Sequence, residues 1–518
     1  MTDLKTQRSR WLRTFVIVVV VLGVFFRGYN LDRKVFWYDE TMTLLRVSGN
    51  TNETIVQNAY DADITTVEAL LTTYQFPNVD HGWDDTLAAL KEHPEHSPLY
   101  YLMVRGWLQL FGHSTATIRA LSLIFGLLVL PCAYWLGVEL FRERRYGWAI
   151  ATIMAISPFH VLYSQEAREY SLWTLTILLS SATLLWAERR KTIREWGLYG
   201  VTIALGLYTH PFSGFVSISH GIYVLASDGF RWTKRLTAYL LASALGMLLF
   251  LPWLWIVIQH FSKFVSNTQS VGLEREGVMP LFWALNLSRV FFDLNQGPSA
   301  INPLHYILVG LAIYALYYLY QHGPRHAWIF VMTLAGVTGL ALLMPDIIWG
   351  GRRSSITRYA IPSYIGLQIA IAYLFAHHLT TDLTAPNWKR WRTGAIAFVA
   401  LGVISMAVSS QIPVWWHKSY AKSRYNPTTA AIVNQSPNPL VVTNELPGSI
   451  LSFSHLLRPD VHLQLITRSK NIAIPVEEYD PTFLYKSTPR FRRDLESQNL
   501  TLTPQYEEDW LWTIDSKS

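Results

Sequence analysis

The chain has 518 residues, of which 51% are hydrophobic, 14% aromatic and only 15% charged, a balance that belongs to a polytopic membrane protein rather than to a water-soluble fold. Its net charge of +7 sits largely in short loops between apolar runs, where it reports membrane topology before nucleic-acid binding. A single cysteine, Cys132, excludes disulfide frameworks and cysteine-based metal sites.

In chain order, Lys5, Arg8, Arg10 and Arg13 lead into the first apolar run, residues 14–26. Placed in the cytoplasm, these cations send that run outward. No small-residue cleavage site follows it, so it reads as a retained anchor, with Arg13 and Arg27 snorkelling at its ends. The outer loop that follows opens on Phe36, Trp37, Tyr38, Asp39, Glu40 and Thr41. The next apolar run, 98–111, is short for a span and includes Arg105. Read as an interfacial helix, it places the basic loops at 142–147, 188–196, 228–236, 321–327 and 379–392 on the cytoplasmic side.

Eleven spans follow from this parity: 12–28, 115–141, 148–163, 169–187, 197–210, 212–227, 237–258, 303–320, 328–344, 359–378 and 393–411. An odd number leaves the tail outside. The tail is more polar, with candidate strands at 440–443 and 461–467, and reads as a small mixed α/β domain. The expected architecture is a polytopic α-helical membrane protein with about 11 transmembrane helices. It has a membrane-embedded domain over 1–411, a first outer loop with interfacial helices over 28–114, and an outer α/β domain over 412–518.

The same parity gathers polar groups from distant loops on the outer face. They are Asp39 and Glu40, His93 and His96, Glu166 and Arg168, His210 before Pro211, and Arg352, Arg353, Arg358 and Tyr359. Ionisable groups at such a depth are costly unless paired or functional. A carboxylate there can act as a general base, and arginines can hold a phosphate through paired hydrogen bonds.

Each group also has a structural use. Asp39 can N-cap a helix over 41–47 with Glu40 in its first turn, and Glu166 with Arg168 can form an ion pair at a helix end. His210 suits a turn, Arg352 and Arg353 suit interfacial anchors, and the abundant Trp and Tyr suit an interfacial belt. His93 and His96 have no nearby third ligand, so no metal site is assigned. The chain has neither a P-loop nor a G-x-G-x-x-G after a strand, which directs the search for a donor away from nucleotides and towards a lipid.

Four motifs carry a family resemblance: Phe36 to Thr41; His96-Ser97-Pro98-Leu99-Tyr100-Tyr101; Ser157-Pro158-Phe159-His160 leading into Tyr163 and Arg168; and Arg358-Tyr359 followed by Pro362. Over roughly residues 12–411 the chain resembles the GT-C class of integral-membrane glycosyltransferases, which contains protein O-mannosyltransferases and the lipid A aminoarabinose transferase. Ser97 departs from the pair of prolines often found there, and the Glu-Lys-Pro version of the motif is missing, so no metal role is carried over from the aminoarabinose branch.

The resemblance implies a sugar donor on a polyprenyl or dolichyl phosphate, inversion at the sugar, and an acidic catalytic base in the first outer loop, matched by Asp39 with Glu40 beside it. Glu166, Arg168, Arg352, Arg353, Arg358, Tyr359, His96 and His210 would bind donor and phosphate. No cofactor is required by this reading, and a divalent metal is compatible with it. The expected function is sugar transfer to a hydroxyl of a glycolipid, polysaccharide or protein at the outer face of the inner membrane, with no nucleic-acid partner. The alternative is a transporter or flippase of a lipid-linked sugar, although the inverted repeats and broken midplane helices common in transporters are not evident.

Overall fold

A computed structural model of the protein describes residues 2–269, 279–467 and 472–516. The chain divides into two compact units. One comprises Met1–Leu31, His93–Tyr100 and Arg119–Gln411; the other comprises Asp32–Glu92, Tyr101–Ile118 and Ile412–Ser518.

The first unit is a helical bundle whose layering follows from side-chain character. In the helix Tyr170–Arg190, the most apolar window is 89% buried, against 22% in Lys234–Gln259. The buried helix carries small hydroxyl residues that return to its own carbonyls, such as Thr174 to Tyr170 at 2.9 Å, or reach a neighbour, as Thr183 reaches Thr202 at 3.0 Å. Lys234–Gln259 instead exposes Leu240, Leu241, Leu248 and Leu249, the surface a helix shows to lipid. Small residues set the closest helix approach. A Cβ on Gly200 would lie 2.7 Å from the Ala242 carbonyl oxygen, and one on Gly246 would lie 2.8 Å from that of Gly200.

Among the described residues, eight helices are long and apolar enough to cross a bilayer, or nine if one bent pair counts as a span. The sequence reading expected eleven, and the difference lies in three places. The run 148–163 is not one helix but Arg144–Ala155 and Pro158–Ser164, bent by 66°. Helices Ile193–Thr209 and Ser213–Ser227 have 17 and 15 residues, about 25 Å or less against a hydrocarbon core of about 30 Å. The helix Leu99–Phe111 is shorter still, at 13 residues.

The bend has a local cause. Pro158 has no N–H to donate and holds Ser157 in an extended conformation (φ −69°, ψ 112°), so the carbonyls ending Arg144–Ala155 lose their helical partners. Arg27 replaces those partners. Its guanidinium donates to the carbonyls of Met154 at 2.8 Å and Ala155 at 2.7 Å, and to Gly23 at 2.8 Å. The side chain is fully buried, which corrects the snorkelling role expected for it. Arg27→Met keeps the bulk but strands two buried carbonyls, each costing about 1–3 kcal/mol. The variant should unfold in detergent at a clearly lower temperature than the wild type, and an unchanged midpoint would remove this role.

The second unit is built on a six-stranded sheet: β1 Asp61–Thr66, β2 Leu440–Thr443, β3 His462–Ile466, β4 Thr482–Tyr485, β5 Leu500–Tyr506 and β6 Leu511–Ser516. Their order is β1-β3-β2-β4-β6-β5, with β2 parallel to β3 and β4 and the other pairs antiparallel. The central strands are buried on both faces, so β2 reads as an unbroken apolar run. Val441, Leu463, Leu465 and Phe483 pack to one side with Met42, Leu45, Ile55, Val67 and Leu70. Leu440, Val442 and Leu484 pack to the other with Phe491, Leu495 and Ile514. The first outer loop therefore supplies both an edge strand and one covering layer to the sheet of the tail.

Arg105 fastens the helix Tyr38–Val47 within this unit. It donates to the Val47 carbonyl at 2.8 Å and to Thr86 Oγ1 at 2.7 Å, and also reaches the His81 carbonyl.

Candidate active site

In the second unit, Asp39 and Glu40 lie in the first turn of Tyr38–Val47, where negative charge meets the positive end of the helix dipole. The cap position falls at Trp37 rather than at Asp39, and Glu40 fulfils the capping role by accepting the Trp37 N–H at 3.3 Å. The same Glu40 oxygen accepts from Lys418 Nζ at 2.9 Å, and both side chains are 0% exposed. Glu40 is thus committed to a buried ion pair.

Asp39 is half-buried beside Tyr38. Burial first, and then the Asp39 carboxylate, raise the Tyr38 phenol above its ordinary range, which keeps its proton in place. Lys422 lies 5.1 Å from the centre of the Tyr38 ring.

The three aromatics ahead of this pair pack against protein. Phe36 and Trp37 are buried in protein: the Phe36 ring packs 4.3 Å from His455, its carbonyl accepts Ser452 Oγ at 2.6 Å, and Trp37 joins Val35 and Val414 in a small core. Tyr38 is seated against Gly448, where a Cβ would come within 2.5 Å of the ring.

In the first unit, Tyr170 is the hub of a second cluster. Arg168 and Arg358, distant in sequence, each place a guanidinium 5.6 Å from its ring centre. Arg168 Nη2 also donates to Glu169 Oε1 at 3.1 Å and to the Tyr170 hydroxyl at 3.4 Å. Glu166 is fully buried, and its carbonyl accepts the Arg168 N–H at 2.7 Å across a tight turn. Arg358 also lies over Tyr359 at 5.8 Å, and Tyr359 meets Phe212 edge to face at 5.2 Å.

His210 stacks on Trp173 at 4.0 Å. Its Nδ1 accepts the Phe212 N–H at 3.2 Å, which places the proton of the neutral ring on Nε2. Trp173 is fixed in turn by Ser213 at 3.0 Å.

The remaining expected residues have other surroundings. Arg353 pairs with buried Asp346 at 3.4 Å, and Asp346 also accepts the Ser354 N–H at 2.7 Å. Arg352 begins that same turn. His96 Nε2 lies 3.8 Å from Glu95, which also meets His93 at 3.2 Å and Asn267 at 3.0 Å. Burial pushes the Glu95 carboxyl up, but the hydrogen bonds from His93 and Asn267 leave it below its ordinary value. Among the described residues, no three His, Cys, Asp or Glu side chains are arranged to hold a metal.

Lys418, Tyr170 and Trp173 were not singled out in the sequence, and Glu169 was noted only as part of the loop that carries Arg168. Tyr170 follows two residues after Arg168 and was within reach of that reasoning. Lys418 pairs with a residue 378 positions away and left no local signal.

Residues 93–256 match the family described as dolichyl-phosphate-mannose-protein mannosyltransferase. That stretch includes His96, Glu166, Arg168 and His210. The undecaprenyl phosphate-alpha-4-amino-4-deoxy-L-arabinose arabinosyl transferase of Pectobacterium atrosepticum is 27% identical over 148 residues, 28% of this chain. The match spans 27% of that relative's length. The chain is similar in fold to ArnT from Cupriavidus metallidurans, both in the crystal structure bound to undecaprenyl phosphate (TM-score 0.56) and in the apo state (TM-score 0.55). Each is 13% identical, and the similarity covers 98% of both chains. Along nearly its whole length, the chain has the fold seen in these ArnT structures.

Proposed function

We propose that this protein transfers a sugar from a polyprenyl-phosphate-linked donor to an acceptor hydroxyl on a glycolipid, polysaccharide or protein. It acts at the outer face of the inner membrane, with a cytoplasmic N-terminus and an external tail. The observation that carries the reading is the pairing of Arg168 and Arg358 on Tyr170. Two cations held against one aromatic ring suit the two negative charges of a departing phosphate monoester.

In the proposed reaction, Asp39 takes the proton of the acceptor hydroxyl. The hydroxyl oxygen then bonds to the anomeric carbon as the bond from that carbon to the phosphate oxygen breaks. Polyprenyl phosphate leaves, and a single displacement inverts the sugar. Glu40 does not share the base role, because a carboxylate buried against Lys418 and the Trp37 N–H has no access to an acceptor. Glu166 and Glu169 position the arginines.

Arg358→Gln is expected to lower kcat/KM by about 10- to 150-fold, the range for losing one charge-assisted hydrogen bond. Arg353→Gln should instead leave kcat/KM nearly unchanged, since that charge serves Asp346. Equal effects of the two substitutions would count against the assignment. For the function itself, mass spectrometry should compare membrane lipids and surface glycans with and without the protein. A single glycosyl increment should vanish on deletion and return with the wild-type chain, and identical profiles would contradict the proposal.

A further inference from the structure

Away from the Tyr170 cluster, the first unit contains a cavity of about 950 Å³. It is framed by the C-terminal ends of Thr115–Phe141 and Tyr170–Arg190 and by the first turns of Ile193–Thr209 and Lys234–Gln259. Five cations line it, Arg142, Arg189, Lys191, Lys234 and Arg235, against the two carboxylates Glu139 and Glu188.

Both carboxylates are committed to holding arginines. Glu139 accepts from Arg142 at 2.8 Å and from Arg189 at 2.6 and 2.9 Å. Glu188 pairs with Arg235 at 3.0 Å and accepts the Tyr223 hydroxyl at 3.0 Å. The arginines are therefore fixed in position, and the cavity keeps an excess of positive charge. Lys191 sits just beyond a helix end in the left-handed conformation (φ 60°), and Lys234 begins the next long helix.

The wall of the same cavity is apolar, formed by Leu185, Trp196, Leu241 and Leu245. Apolar side chains of the same helices are exposed beside it, with Ile193 92% exposed, Leu241 67% and Leu198 42%. A soluble anion would use only the cationic rim, and an uncharged lipid only the wall. A ligand with a phosphate at one end and acyl chains at the other uses both.

We infer that this cavity binds the headgroup of an anionic phospholipid, with its acyl chains lying along Leu241, Leu245 and Leu198. The inference rests on Thr115–Phe141, Tyr170–Arg190 and Lys234–Gln259 crossing a bilayer and is independent of sugar transfer. In the proposed topology the lipid comes from the cytoplasmic leaflet.

The test uses the full-length protein in detergent. Native mass spectrometry follows titration with phosphatidylglycerol, phosphatidylcholine or inorganic phosphate. Phosphatidylglycerol should be retained at least about tenfold more tightly than phosphatidylcholine, and the Lys191→Gln/Lys234→Gln double variant should lose about that factor. The double variant leaves the Glu139 and Glu188 pairs intact. Equal retention of the two lipids, or unchanged phosphatidylglycerol binding in the double variant, would overturn the inference. Displacement of the lipid by millimolar inorganic phosphate would mark a soluble-anion site and overturn it equally. A photoactivatable phosphatidylglycerol requires no variant: with the wild-type protein it should label peptides from 185–197 and 234–245, and labelling confined to other regions would contradict the assignment.

Discussion

Asp39→Asn is expected to lower sugar transfer by at least about a hundredfold, the usual scale for removing a general base. Asparagine matches aspartate in shape but has no carboxylate to take the acceptor's proton. The helix start should survive the change, because Glu40 rather than Asp39 returns to the Trp37 N–H. Loss of turnover with an unchanged thermal midpoint would therefore report chemistry rather than folding. Glu40→Gln should show the opposite pattern, with a lower midpoint and any loss of activity following the loss of folded protein. Near-normal transfer by Asp39→Asn would remove Asp39 from the mechanism.

The second large effect concerns the partner of Glu40. Lys418→Met retains an unbranched apolar stem but leaves the Glu40 carboxylate fully buried without its cation. Breaking one side of a buried pair costs about 3–5 kcal/mol, a large part of a domain's stability. Lys418→Met should fail to accumulate or unfold at a much lower temperature. The double variant Glu40→Gln/Lys418→Met removes both charges and should recover most of the loss, because two neutral groups replace one stranded ion. A double variant no better than Lys418→Met alone would show that the pair is not coupled.

How much of this was legible in the sequence depends on the range over which the signal acts. Eight expected spans have a matching long helix, because hydropathy over about 20 residues is a local property. The bend at Ser157-Pro158 was present as a motif. Its consequence was not legible, because the compensating donor, Arg27, belongs to another helix.

In the tail, β2 and β3 lie within the candidate strands at 440–443 and 461–467. Strand β1 reads Asp-Ala-Asp-Ile-Thr-Thr, mostly polar and at a sheet edge, and β5 is an edge strand that contains Pro504. Strand β1 carries no apolar periodicity, and in β5 the alternation of Leu500 and Leu502 with threonines is cut short at Pro504.

The site divides in the same way. Residue chemistry marked Arg168, Arg358, His210 and Asp39 as candidates. The pairing of Arg353 with Asp346 and of Glu40 with Lys418, which changes the role assigned to each, appears only once the chain is folded. The burial of Phe36 and Trp37 in protein was not legible, because an aromatic next to an apolar run looks the same whether protein or lipid covers it.

Transfer is tested most directly by supplying the purified protein, in detergent and with no membrane barrier, with a polyprenyl-phosphate-linked sugar and a hydroxyl acceptor. The expected result is release of free polyprenyl phosphate in equal amount to glycosylated acceptor of inverted anomeric configuration, with both products lost in Asp39→Asn. Binding of the donor without its consumption would contradict transfer and favour a protein that moves the lipid-linked sugar across the bilayer.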